Sequence, residues 1–147
     1  MTILVTGGAG YIGAHVVRLL QERGEKVVVV DDLSTGRADR VGDAVLVEVD
    51  VASPEAVDVL TRAMTEHDVR AVVHFAARKQ VGESVEKPAW YYQQNVGGFP
   101  NLVTAMQAAV VDRLVFSSSA ATYGMPSVSL VEEKLHAEPI NPYGETK

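Results

Sequence analysis

Thr2-Ile3-Leu4-Val5-Thr6-Gly7-Gly8-Ala9-Gly10-Tyr11-Ile12-Gly13-Ala14-His15-Val16-Val17 opens the chain with an apolar, β-branched run, a glycine-rich turn and the start of a helical repeat. Residues 2–6 read as a buried strand, and over residues 15–23 the apolar positions Val16, Val17, Leu19 and Leu20 fall at helical spacing. The glycines at 7, 10 and 13 allow a tight turn, close approach of backbone to a ligand, and close packing of helix on strand. The helix start aims unpaired N–H groups at an anion, so Gly7, Gly10, Tyr11, Ile12 and Gly13 are the expected seat of a pyrophosphate. Glycine-rich turns are common in α/β proteins, and the context is what strengthens this one. Gly24 ends the helix, Lys26-Val27-Val28-Val29-Val30 makes a second buried strand, and Asp31 stands at its end, 18 residues after Gly13. An acid there accepts hydrogen bonds from a ribose diol and repels a 2′-phosphate, which favours NAD over NADP.

With 147 residues, 47% of them hydrophobic, the chain is long enough for one domain with a real core and short for two. Residues 1–147 are therefore read as a single dinucleotide-binding domain. The formal charge of −6, with no stretch both basic and aromatic, argues against a nucleic-acid partner. There is no cysteine, which excludes disulfides, thiolate catalysis and cysteine-based metal sites. His15, His67, His74 and His136 show no ligand spacing with one another, and no metal site is expected. No apolar run reaches the length of a membrane span, and Met1 leads directly into a strand, so the expectation is a cytoplasmic protein with no membrane partner.

Further along, residues 44–49 read as a third strand with Asp50 directly after it, and Ser53-Pro54-Glu55 as a helix start with Ser53 as N-cap. Residues 71–75 are a fourth strand ending at Ala76-Ala77-Arg78-Lys79; a polar loop follows, then a long helical stretch from Pro88 toward Ala109. Residues 113–117 are a fifth strand, leading into Ser118-Ser119-Ala120-Ala121-Thr122-Tyr123-Gly124. Near-continuous apolar strands alternating with helices require a parallel sheet covered on both faces, a doubly wound, Rossmann-like α/β domain. The polar clusters all follow the C-terminal ends of strands, where open α/β sheets bind ligands.

Tyr143-Gly144-Glu145-Thr146-Lys147 places a phenol and an ammonium four residues apart, on one face of a helix. A lysine beside a tyrosine favours the phenolate and suits it to general-base work. Ser119, in the serine cluster after the fifth strand, stands 24 residues upstream of Tyr143.

Together these residues resemble the extended short-chain dehydrogenase/reductase family, over the whole chain. The general parts are Gly7-x-x-Gly10-x-x-Gly13, Asp31, Asp50-Val51, His74-Phe75-Ala76-Ala77, Asn95 and Tyr143-x-x-x-Lys147. Within the family the chain looks like the nucleotide-sugar 4-epimerases, through Asp31-Asp32-Leu33-Ser34-Thr35-Gly36, Lys79-Gln80-Val81-Gly82-Glu83-Ser84-Val85-Glu86-Lys87-Pro88, Tyr91-Tyr92 and Ser117-Ser118-Ser119. Ala120-Ala121 stand where related dehydratases carry an acid. The resemblance implies an NAD-dependent isomerase of galactose metabolism acting on UDP-galactose and UDP-glucose through a 4-keto sugar. It implies that Asp31 holds the adenosine ribose and Asp50-Val51 the adenine edge, that Phe75, Ala76, Ala77 and Lys79 line the nicotinamide half, and that Asn95 is a further cofactor-binding residue. It also implies Tyr143 as base, Ser119, with Thr122 beside it, on the sugar 4-oxygen, and Lys147 on the nicotinamide ribose.

Members of the family continue past the position of Lys147 for another domain's length that carries the sugar-nucleotide site. The expectation is a domain truncated before the substrate domain, binding NAD weakly on its own and not turning over. Phe99-Pro100 stands where the family has Gly then Thr, in a helix that helps form a homodimer; a proline there costs about 3 kcal/mol unless a kink absorbs it, which counts against dimerisation. Ala77 replaces a usual glycine. Two readings stay open: the cofactor half of an epimerase, or a non-catalytic dinucleotide-binding or interaction module derived from that family.

Overall fold

The computed structural model describes residues 1–147. Its apolar runs form the strands β1 (Thr2–Thr6), β2 (Lys26–Asp31), β3 (Val45–Glu48), β4 (Val69–His74) and β5 (Leu114–Phe116). All pair in parallel, in the order β3-β2-β1-β4-β5, with Thr6 level with Val30 on one side and His74 on the other. This is the doubly wound sheet the sequence predicts, with every residue of the central β1 buried.

The helices are α1 (Tyr11–Glu22), α2 (Ala56–Glu66), α3 (Val81–Glu86), α4 (Pro88–Tyr91), α5 (Gly97–Ala108) and α6 (Pro142–Glu145). Alternate strand residues point to opposite faces and build separate cores. Ile3, Val5, Val27 and Val29 pack with Val17 of α1 on one face. Leu4, Val28, Val30 and Val72 pack with Leu60 and Met64 of α2 and Leu102 and Met106 of α5 on the other. Leu60 and Leu102 are wholly buried, and side chains of that size contribute about 1.5–3 kcal/mol each on burial.

Three local expectations need correction. Ser53 does not cap α2: the Ala56 N–H bonds to the Ser53 carbonyl at 3.2 Å, the helix starts at Ala56, and the Ser53 hydroxyl is buried without a partner. The loop before Pro88 is not all loop, since residues 81–86 form α3, with the Ser84 hydroxyl bonded to the Val81 carbonyl at 2.6 Å. The helical stretch from Pro88 is not continuous α-helix either. A π turn (Tyr92–Val96) separates α4 from α5, and Pro100 lies inside α5 four residues beyond it, so the looser turn adjoins the place where proline removes an N–H. β5 is an edge strand, and its Val115 and Phe116 are exposed.

Candidate functional site

A cleft of about 290 Å³ runs along the C-terminal ends of the strands. It is lined by Gly7, Gly10, Tyr11, Ile12, Gly13, Asp31, Asp50, Val51, Phe75, Ala76, Ala77, Lys79, Asn95, Ser119, Tyr143 and Lys147. These residues are brought to one place from the C-terminal ends of the five strands, the start of α1, the π turn that holds Asn95, and residues 143–147, while Thr122 is not among them.

The glycine turn presents free donors. Gly10 is the N-cap of α1, with no side-chain cap and no acid in the first turn, so the helix's first N–H groups are left for an anion. Gly13 packs so tightly on the turn that a Cβ there would stand 2.8 Å from the Gly8 Cα and closer still to the Gly7 carbonyl. This cradle fits a dinucleotide pyrophosphate.

Asp31 is buried, and its Oδ2 accepts from the Ala9 N–H at 2.9 Å while Oδ1 accepts from the Leu33 N–H at 2.9 Å. Leu33 holds a left-handed φ of 54° to make that bond, a conformation that costs a non-glycine residue about 1–2 kcal/mol. The carboxylate is therefore fixed in place, with its remaining lone pairs open to a diol. Asp50 is fixed in the same way, by the Ala52 N–H at 2.8 Å and the Gln94 amide at 3.0 Å.

His74, at the end of β4, is 2% exposed and meets Thr6 Oγ1 through Nδ1 at 2.6 Å. The same hydroxyl oxygen accepts from the Ala76 N–H at 3.3 Å, an arrangement satisfied when Thr6 donates to an unprotonated Nδ1. Burial, reinforced by the Lys147 charge, pushes the imidazole down to about 4. His74 is the packed, hydrogen-bonded core histidine its strand position suggests, stacked against Phe116 and tilted against Phe99.

Residues 142–145 form a single turn of helix. Asn141 caps it, accepting from the Gly144 N–H at 2.9 Å. Gly144 lies where a Cβ would meet the Ala121 carbonyl at 2.6 Å, which lets the turn carrying Tyr143 sit against the turn following Ser119. Ser119 Oγ accepts from the Ala121 N–H at 3.2 Å and still faces the cleft. Thr122 does not reach it, because its hydroxyl bonds back to the Ser119 carbonyl at 2.7 Å. The Lys147 ammonium stands 4.9 Å from the centre of the Phe116 ring, and burial lowers its pKa from the ordinary lysine value.

Asn95 acts as a clamp. Its Oδ1 accepts from the Arg78 N–H at 2.7 Å, and its Nδ2 donates to the Arg78 carbonyl at 3.0 Å and to Thr146 Oγ1 at 2.9 Å. It thereby ties the loop after β4 to the segment carrying Tyr143 and Lys147. The stretch from Gln80 to Tyr92 does similar work: the buried Tyr91 hydroxyl donates to Glu83 at 3.1 Å and accepts from the Gln80 N–H at 2.9 Å, and the Tyr92 hydroxyl bonds to Glu145. Asp32, Ser34 and Arg78, which the sequence names within motifs but assigns no role of their own, and Gln94, which it does not name, also line the cleft. The adjacency of Arg78 to the Ala76-Ala77 turn was the signal available for it.

The family model described as "NAD dependent epimerase/dehydratase family" matches residues 3–147. UDP-glucose 4-epimerase of Halalkalibacterium halodurans is 46% identical over 147 residues, all of this chain and 43% of that protein. The crystal structure of UDP-glucose 4-epimerase from Brucella ovis in complex with NAD has a TM-score of 0.93 at 45% identity, covering 99% of this chain and 44% of that one. UDP-glucose 4-epimerase from Stenotrophomonas maltophila, with bound NAD and formylated UDP-arabinopyranose, has a TM-score of 0.93 at 42% identity, covering 100% and 45%. The chain spans less than half the length of these relatives. No helix is long and apolar enough to cross a membrane.

Proposed function

The chain belongs to the NAD dependent epimerase/dehydratase family, and from that membership we propose that it is the cofactor-binding half of a nucleotide-sugar 4-epimerase interconverting UDP-galactose and UDP-glucose. The observation that carries this reading is the convergence of the glycine turn, two fixed carboxylates, Ser119, Tyr143 and Lys147 on one cleft. The turn from Gly7 to Gly13 would seat the NAD pyrophosphate, Asp31 the adenosine ribose and Asp50 with Val51 the adenine edge. Phe75, Ala76, Ala77 and Lys79 would line the nicotinamide half. Bound there, NAD would supply the acceptor and then the donor of hydride at sugar C4.

Tyr143 would take the proton from the sugar 4-hydroxyl and return it, with Ser119 hydrogen-bonding the 4-oxygen as its charge changes. Lys147 would hold the nicotinamide ribose. Asn95 acts on this chemistry through position, by way of Thr146 and Arg78. A cytoplasmic location belongs to the same reading, whereas Pro100, inside the helix through which the family would dimerise, counts against a homodimer. On its own the chain is expected to bind NAD weakly and not to turn over.

The test joins this chain to the remaining part of the Halalkalibacterium relative and follows conversion of UDP-galactose to UDP-glucose with NAD present. Turnover that Tyr143→Phe removes supports the reading. A folded fusion that binds NAD and UDP yet does not convert the sugar refutes it.

A further inference from the structure

Arg78 has no role in the chemistry proposed above, yet its side chain is bonded on three sides. Asn95 grips its backbone at both N–H and carbonyl. From that fixed point its Nη2 donates to Asp32 Oδ2 at 2.6 Å, Nη1 to Ser34 Oγ at 2.5 Å and Nε to Gln94 Oε1 at 3.0 Å. The guanidinium carbon lies 5.0 Å from the centre of the Trp90 ring. Gln94 extends the connection, its amide donating to Asp50 Oδ2 at 3.0 Å.

The side-chain path therefore runs from the loop after β2 to the loop after β3, by way of the loop after β4 and the π turn. No backbone hydrogen bond joins residues 32–36 to residues 75–80. The ends of the path are Asp50 itself and the neighbour of Asp31, the two acids proposed to hold adenosine. We propose that Arg78 is a positioning residue that staples the adenosine end of the cleft and slows release of the bound dinucleotide. This rests on the reading of Asp31 and Asp50 given above.

Residues 32–36 and 76–79 both contribute to the lining of the cleft, and parting them to release a dinucleotide breaks two charge-assisted bonds at once. Asp32 and Arg78 side chains are 27% and 20% exposed, so the pair is screened less than a surface pair. Burial raises the Asp32 pKa, but its bonds from Ser34, with Arg78 beside it, more than offset this and hold the carboxyl below its ordinary value. Arg78 also places a cation among Asp31, Asp32 and Asp50, offsetting their repulsion of a pyrophosphate. A lysine would offer a point charge without the fork that reaches Asp32 and Ser34 together.

The experiment loads the purified protein with NADH and follows its fluorescence after mixing with excess NAD. Arg78→Leu is expected to speed release about tenfold, the bonds to Asp32 and Ser34 both being lost but each weakened by partial exposure to solvent, with little change in association. Asp32→Asn, a milder change, shifts release the same way, and the double variant is no faster than Arg78→Leu because the two residues act as a unit. Release from the unsubstituted protein quickens with added salt, and Arg78→Leu loses that dependence. A merely structural role would lower the melting temperature without removing the salt dependence. Unchanged release, or salt dependence retained without Arg78, overturns the proposal. Amide hydrogen exchange at residues 33–36 in the cofactor-free protein separates this failure from that of the NAD reading: the staple requires faster exchange in Arg78→Leu. If the unsubstituted protein binds no NADH, the NAD reading fails and the retention claim falls with it.

Discussion

His74→Asn changes how stability depends on pH, and the structure gives both sign and size. His74 is buried against Phe99 and Phe116, with Lys147 the nearby cation, and its folded-state pKa is about 4; unfolded, it returns to about 6.5. Above about pH 6.5 the imidazole is neutral in both states and contributes no pH dependence. Between 6.5 and 4 the unfolded chain binds a proton that the folded chain refuses, so stability falls as pH falls, by about 1.4 kcal/mol per unit. At pH 5.0 the loss reaches about 2 kcal/mol, and below pH 4 it levels off near about 3 kcal/mol. Asparagine keeps a polar atom toward Thr6 and removes the titration. Urea unfolding at pH 7.5 and 5.0 measures the effect: the unsubstituted protein should lose about 2 kcal/mol more than the variant between those conditions. Equal losses in the two proteins would refute a neutral, buried His74.

Asn95→Ala strips partners from the Arg78 backbone and from the buried Thr146 hydroxyl. It should cost about 2–4 kcal/mol in denaturant unfolding. Gly13→Ala drives a Cβ into the Gly7 carbonyl and should abolish NADH binding measured by fluorescence, with a stability loss of about 1–3 kcal/mol. Tyr143→Phe, in the fusion described above, should reduce sugar conversion by at least about 100-fold while leaving NADH affinity unchanged.

The strands were legible because burial on both faces leaves little room for polar residues: Val27, Val28, Val29 and Val30 alternate between the two cores and so read as one apolar run. The cleft was legible for a related reason, since its residues sit at fixed places after strand ends. What escaped depended on three-dimensional competition for hydrogen bonds. Ser53 has the chemistry of a cap, but its own carbonyl takes the Ala56 N–H that its hydroxyl would have met. Residues 81–86 are polar enough to pass for loop, and the buried Tyr91 anchors them through Glu83 and Gln80. Arg78 finds Asp32 across 46 residues of sequence, a pairing no local pattern announces. The π turn at residues 92–96 carries no sequence signature of its own; Asn95 and Gln94 within it face partners on different loops.

The central claim is that the cleft is built for NAD, with Asp31 excluding a 2′-phosphate. Equilibrium titration of the purified chain with NADH and, in parallel, NADPH tests it most directly, alongside circular dichroism to verify folding. Saturable binding of NADH is expected, with NADPH at least about tenfold weaker. A folded chain that binds neither nucleotide, or that prefers NADPH, would contradict it.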